Sequence, residues 1–396
     1  MNPEAIRASA SELFPKLREW RRTLHQHPEL AFDLEWTAAY VAEELRKLGV
    51  EPRTGVGISG ITVDVGEGEH LVALRADMDA LPITEKNEVP YRSLHEGKMH
   101  ACGHDAHTAM LLGAVELISN LSREDRLPGR VRFLFQPNEE GQEKGGGALL
   151  MIRDGALEGV EAIFGQHVDP ELCVGKAATR PGPMMAEADV FVLKVKGQRS
   201  HAAYPHHGVD AIAISAHVVN AVHQIVSRRL DPVTPAVVTI GKIHGGTKSN
   251  VLAGEVTMVG TIRTFHTEDR NVIEEEIEKA GRIAEALGGS YEVEFRHGTV
   301  PLVNDPDLTS FVMKEARALL GEDNVLEAQM RMGGEDFSFY TQKVPGVFIR
   351  LGVRTPGGEV HALHTDTFDL DERALPIGSA LLSYLAVRWL EEANRR

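Results

Sequence analysis

The chain has 396 residues, 42% hydrophobic and 25% charged, the balance of an ordinary globular protein and not of a disordered or low-complexity one. That length exceeds what one hydrophobic core usually serves, so two domains are expected. With 42 basic against 58 acidic residues the formal charge is −16, which argues against nucleic acid as the main partner and requires a local basic group for any anionic substrate.

The opening MNPEAIRASASELFPKLREW alternates in charge and has no apolar core of the kind a secretory signal needs. No run approaches about 18 uninterrupted apolar residues, so neither a membrane span nor a membrane partner is expected. Two cysteines, Cys102 and Cys173, are too few for a disulfide framework and point to a reducing cytoplasm.

In chain order, residues 4–27 and 35–50 read as two amphipathic helices, the second stopped at Gly49. Short apolar runs follow: GITVDV, HLVALRAD, VRFLFQP and AIFGQHV. A helical pattern over residues 105–120 lies among them, with Ala106, Ala109, Met110, Gly113, Leu117 and Ile118 on one face. Strands alternating with helices predict an α/β domain with a mainly parallel central sheet. From Glu187 the order becomes strand, helix, strand, strand, helix, strand, the ferredoxin-like βαββαβ unit. Alternation resumes after residue 298 with LTSFVMKEARALLG, GVFIRLGV and a last helix from Arg373. The expected organisation is a catalytic domain formed by residues 1–185 and 299–396, interrupted by an inserted domain of residues 186–298.

GVGISG, Gly55 to Gly60, fits a dinucleotide fingerprint, but the β-rich ITVDV follows where a helix is needed, so the glycines read as a turn. HACGHDAH is richer in chemistry. Cys102 and His104 are borderline-soft donors suited to zinc, manganese, cobalt or nickel, and their spacing on a strand-to-helix loop lets both point one way. Alone, the stretch also reads as a polar turn with Asp105 at a helix start, or as a cysteine–histidine dyad, although no orienting third group is visible.

Glu139 and Glu140 follow an apolar strand, where open α/β sheets place ligands. Neighbouring side chains leaving a strand point to opposite sides, so one carboxylate is expected to bind metal while the other faces a water. His167 ends another apolar run, and in ALHTDTFDL His364 is preferred over His361 as a ligand. Taken singly, each of these is a solvated or structural residue. Jointly, four segments offering ligand-type residues favour a metal site, and five ligands suggest two divalent ions.

The motifs LHQHPELAF, RADMDALP, HACGHDAH, FQPNEEG, GQHV, SHAAYPHHGVDAI, SNVLAGEV, GTIRTF, GGEDFSFY and LHTDTF, in this order, resemble the aminoacylase-like metallopeptidases. The branch is that of hippurate hydrolase, indole-acetyl amino acid hydrolase and N-acetyl-diaminopimelate deacetylase. The resemblance implies a metallopeptidase catalytic domain with an inserted lid and dimerisation domain, and hence a homodimer or dimer of dimers. It makes Cys102, His104, Glu140, His167 and His364 the metal ligands, Glu139 the general base and Asp79 the carboxylate that orients a ligand. Asp77 stands where related branches carry an H-x-D histidine, and Cys102 falls near their bridging aspartate. His100 and His107 are read as supporting or helix-start residues.

In the inserted domain, the resemblance makes His201 the residue that reaches across the dimer to polarise the scissile carbonyl. Asn250 and Arg263 hold a substrate α-carboxylate, and Gly334 lines the substrate pocket. The implied activity is metal-dependent hydrolysis of small-molecule N-acyl-L-amino acids, hippurate-like or N-acetyl, to a carboxylic acid and a free amino acid. A dipeptidase or carboxypeptidase using the same site is the alternative. A non-catalytic metal-binding protein would need ligands but no base, and Glu139 is present.

Overall fold

The computed structural model describes residues 1–141 and 146–396. It divides into two compact units: Met1–Gly182 with Val303–Gln329 and Asp336–Arg396, and Pro183–Leu302 with Met330–Glu335.

The first unit is built on an eight-stranded sheet. Its order is Arg53–Val56, Gly60–Val65, Arg130–Gln136, Leu71–Asp77, Ala162–Cys173, Gly346–Arg354, Ala177–Thr179 and Val325–Glu327. The four strands from Arg130–Gln136 to Gly346–Arg354 pair in parallel. Every residue of Leu71–Asp77 is buried, the mark of a strand covered on both faces. Of the covering helices, His104–Arg123 packs on the sheet and against the helices Ala374–Ala393 and Phe14–Gln26. Ser379 Oγ donates to the Met110 carbonyl at 2.9 Å, and a Cβ on Gly113 would stand 2.5 Å from Ser379 Oγ, so only a glycine lets these helices approach this closely.

GVGISG is the turn of an antiparallel hairpin between Arg53–Val56 and Gly60–Val65. The helix expected over residues 4–27 is two helices, Pro3–Glu12 and Phe14–Gln26, broken at Leu13. Pro15 accounts for the break: it lacks an N–H, and its ring clashes with the carbonyl four residues back.

In the second unit, the antiparallel strands are ordered Ser290–Thr299, Glu187–Lys196, Glu255–Thr264, Ala236–Gly245, which is the ferredoxin-like sheet. Burial alternates along Glu255–Thr264, and the helices Ala211–Arg229 and Thr267–Gly281 pack on the sheet. Asp210 caps the first of these helices by accepting from the N–H groups of Ile212 and Ala213.

A buried ion network ties the N-terminal helices to the helix His104–Arg123. Arg21 donates through Nε to Asp105 Oδ2 at 2.8 Å, and its other nitrogens reach Asp369 and Glu372. His25 bonds the same Asp105 oxygen at 2.8 Å and Glu85 at 3.2 Å. Asp105 lies in the first turn of the helix, as expected of a helix-start residue, but it does not cap the helix, because Arg21 and His25 claim its carboxylate. Burial pushes this carboxyl up, but Arg21 and His25 outweigh burial and hold it well below the usual carboxylate range.

Asp105→Ala is expected to lower unfolding free energy by about 3–5 kcal/mol, because it takes from the buried Arg21 guanidinium its only fully buried carboxylate among the described residues. The sign of the pH dependence follows from the depressed native value: the Asp105 contribution is full above the unfolded carboxyl value of about 3.9 and declines as acid protonates the pair. Denaturant titrations between about pH 5 and pH 3 should show the gap between wild type and variant narrowing as pH falls.

Candidate metal centre

The candidate residues converge at the carboxyl ends of the parallel strands, where the sheet of an open α/β domain leaves its binding crevice. Leu71–Asp77 ends in Asp77 and leads to Asp79; Arg130–Gln136 leads to Glu139 and Glu140; Ala162–Cys173 carries His167. The loop before the helix His104–Arg123 supplies Cys102 and His104. Gly103, between them, has φ of +87°, and a Cβ there would lie 2.5 Å from Val168 Cγ2. The turn that presents both donors thus requires glycine.

Cys102 Sγ lies 3.3 Å from both His167 Nε2 and His364 Nε2. His364 Nε2 is 3.1 Å from Glu140 Oε1, while His104 Nε2 is 4.0 Å from Glu140 Oε1 and 3.9 Å from Glu139 Oε2. His364 has a left-handed backbone, φ 61°, and its N–H donates to the Ala101 carbonyl at 2.8 Å, which fixes the distant segment to the cysteine loop. Among the described residues, the sets Cys102–His104–His167 and Cys102–Glu140–His364 each bring their donor atoms within 4.8 Å of one another, with Cys102 common to both. His361 instead bonds the Thr367 carbonyl at the surface.

Glu139 and Glu140 do not diverge as the strand geometry predicts: both approach His104. The chain has already left the strand, Asn138 turns it through a left-handed φ of 49°, and Asp79 accepts from both following N–H groups at 2.9 and 3.1 Å. Asp79 also accepts from His104 Nδ1 through its carbonyl at 2.8 Å, leaving the Nε2 lone pair turned inward. His167 Nδ1 likewise donates to the Val168 carbonyl at 2.7 Å. His104 Nε2 is buried and has no hydrogen-bond partner among the described residues. A soft thiolate, imidazole nitrogens with inward lone pairs, one of them orphaned, and a carboxylate fit a borderline divalent cation.

Behind these lies a second layer, in which His107 has the supporting place expected of it and Arg75, Gln136 and Asp336 are additions that sequence patterns did not reveal. His107 Nδ1 donates to Asp77 Oδ1 at 2.6 Å, while its Nε2 accepts from the Val168 N–H at 2.9 Å, which defines a neutral tautomer. Arg75 bridges Asp77 at 2.6 Å and Asp336 at 2.7 Å, and Gln136 also donates to Asp336. Burial pushes the Asp336 carboxyl up to about 6 despite Arg75. The usable signal was an arginine and an aspartate inside the otherwise apolar run HLVALRAD. His100 is buried with both ring nitrogens unpartnered among the described residues, and burial lowers it to about 3, so it is a neutral core histidine.

Within the other unit, His201 and Asn250 are exposed residues on adjoining loops, joined by the bridge His201–Val251 and by the Ala202 N–H to the Asn250 carbonyl at 3.0 Å. Arg263 is half-buried on its strand; Nη1 donates to the carbonyls of Ile262 and Asp189 and to the Thr261 hydroxyl. Burial lowers its affinity for the proton, and no carboxylate pairs with it among the described residues, so its charge is available to an anion. Gly334 lies where a Cβ would stand 2.7 Å from Thr299 Oγ1.

Residues 73–388 match Peptidase family M20/M25/M40. The chain belongs to this family. It is 40% identical to an IAA-amino acid hydrolase, ILR1-like 4, of Arabidopsis thaliana, over 97% of this chain and 88% of that protein. Identity to thermostable carboxypeptidase 2 of Saccharolobus solfataricus is 38%, over 98% of each. A crystal structure of the Bacillus subtilis YXEP protein, described as a dinuclear metal-binding peptidase of the M20 family, superposes with a TM-score of 0.84 at 34% identity, covering 96% of this chain and 99% of that one.

The electrostatics around Cys102 are the opposite of those that activate a nucleophilic cysteine. Burial first, then Glu140, Glu139 and Asp77, push its thiol well above the ordinary value, whereas reactive cysteines need electropositive surroundings. Burial lowers His104, but Asp77 foremost, then Asp79 and Glu140, raise it to about 10. Without a cation these donors hold protons, so metal loading must expel them.

Calorimetric zinc titration of the metal-free protein in buffers of differing ionisation enthalpy should therefore show net proton release at about pH 7, declining as pH rises toward about 10. Cys102→Ser should lower metal content; normal content together with lost activity would return the sulfur to a nucleophilic role.

Proposed function

We propose that this M20-family protein is a metal-dependent amidohydrolase of N-acyl-L-amino acids, with Cys102, His104, Glu140, His167 and His364 holding two divalent ions. The carrying observation is the overlap of two donor sets at Cys102, with the carboxylate of Glu139 beside them. When bound, the metal would supply Lewis-acid activation of water and of the scissile carbonyl. Zinc, manganese, cobalt and nickel all suit a set that mixes thiolate, imidazole and carboxylate.

The chain's own residues do the rest. Glu139 takes the proton of the attacking water at its carboxylate and delivers it to the departing amine nitrogen. Asp79 fixes the Glu139 main chain and the His104 ring, so the base and a ligand share one anchor. His201, reaching across the dimer, donates to the developing oxyanion, an interaction whose removal in other enzymes costs about 3–4 kcal/mol. Arg263, with Asn250, grips the free α-carboxylate, and Gly334 leaves room for substrate. This local positive charge answers the anionic character of the chain as a whole. The inserted unit serves as lid and dimerisation domain, and a cytoplasmic homodimer or dimer of dimers is the proposed setting.

The Saccharolobus relative carries a carboxypeptidase name, which favours a second reading: cleavage of a peptide bond next to a free carboxylate by the same residues. Hydrolysis of N-acetyl, N-benzoyl and indole-acetyl amino acids beside dipeptides, with and without chelator, separates the two. Faster turnover of dipeptides would displace the N-acyl assignment.

Glu139→Gln is expected to retain metal and lose all but about 10⁻²–10⁻⁴ of the rate; a variant keeping a tenth of wild-type turnover would remove Glu139 from the role of base. Arg263→Ala should raise KM for substrates with a free carboxylate and leave their primary amides, already poor substrates, little changed.

A further inference from the structure

The inserted unit contains a group of metal-ligating side chains that shares no residue with the Cys102 centre. Asp189 on the strand Glu187–Lys196, Glu274 on the helix Thr267–Gly281 and His297 on the strand Ser290–Thr299 bring one donor atom each within 4.8 Å of one another. His297 Nδ1 is 3.5 Å from Glu274 Oε1 and 3.7 Å from Asp189 Oδ1, too long for hydrogen bonds. These separations are close to the ~3.3–3.6 Å between donors that share a tetrahedral cation at ~2.0–2.2 Å.

Two further observations point to a missing cation. Asp189 is 1% exposed, and its Oδ2 has no hydrogen-bond partner among the described residues; Oδ1 accepts the Gly298 N–H at 2.9 Å. Glu274 Oε1 is also a buried oxygen without such a partner; Arg270 Nε, likewise unpartnered among the described residues, stands 3.8 Å away. Orphaned carboxylate oxygens of this kind are costly, and native proteins satisfy them. The charges lean the same way: Glu187, Asp189 and Glu274 are three carboxylates facing two guanidiniums, Arg270, which reaches Glu187 at 3.4 Å and Glu274 at 3.8 Å, and Arg263, which interacts with Asp189. Burial pushes the Glu187 and Glu274 carboxyls up, with Asp189 adding to the effect, as expected of an under-neutralised cluster.

We propose that Asp189, Glu274 and His297 form a structural site for a divalent transition-metal ion, zinc in the first instance, that fastens the helix Thr267–Gly281 to two strands of the inserted sheet. Two hard oxygens and one imidazole make a three-ligand set, with water as the fourth ligand on the solvent side. His297, about half exposed, provides the way in. Arg270 is the competing cation; in the loaded site it pairs with Glu187 alone.

The test uses the full-length protein, loaded with zinc, freed of excess metal, and compared with His297→Ala and Glu274→Gln by elemental analysis. Both variants should carry about one zinc per chain less than wild type, with hydrolytic rate unchanged. A zinc-soaked crystal should show an anomalous peak between the three side chains. Equal zinc content in wild type and variants, or no peak there, would overturn the proposal. Zinc loss matched by loss of hydrolysis would overturn it too, since that ion would belong to the Cys102 centre. His297 is exposed enough that its alanine variant decides the matter even if Glu274→Gln misfolds.

Discussion

One aspartate sets the register of the candidate metal site. Asp79 accepts the N–H groups of Glu139 and Glu140 through its carboxylate and the imidazole N–H of His104 through its carbonyl. Three residues from two segments are thereby aimed by one residue of a third, before any ion is bound. Such hydrogen bonds determine which imidazole nitrogen keeps a free lone pair, and ligand basicity and direction follow from that. The pairing of His107 with Asp77, and of Asp77 with Arg75 and Asp336, extends the same logic inward, so the pocket rests on buried, mutually satisfied polar groups.

That arrangement also explains an apparent conflict in the charges. The pocket gathers Asp77, Asp79, Glu139 and Glu140 with few compensating cations apart from Arg75, and its thiol and one imidazole hold protons as a result. Collecting like charges in a dry crevice is unfavourable on its own and favourable once a multivalent cation enters. Affinity for metal is in this sense built from repulsion relieved.

Much of the fold was legible because local patterns agree with the tertiary structure. GITVDV spans the strand Gly60–Val65, and the βαββαβ order appears as a ferredoxin-like sheet. The residues that cluster at the strand ends were visible by type and by their place after apolar runs. What was not legible depends on chain segments meeting. The convergence of Glu139 and Glu140 needs a left-handed turn at Asn138 and an acceptor 60 residues earlier. The partners of Asp105, Arg21 and His25, lie 84 and 80 residues before it, and no spacing rule joins them. Pro15 was in plain view, yet the amphipathic pattern on either side of it masked the break.

The first unit is discontinuous in the chain, and this dictates an order of events on the ribosome. The inserted sheet is complete once Thr299 has been made, whereas the strand Gly346–Arg354, which fills the gap between Ala162–Cys173 and Ala177–Thr179, comes later. Domains fold as units while synthesis proceeds. The four strands of the inserted sheet are therefore all available while the larger sheet still lacks the strand beside Ala162–Cys173, with Cys102 and His104 already translated. His364 is translated after that strand, so the donor group Cys102–Glu140–His364 is the last of the candidate sets to be complete in the chain.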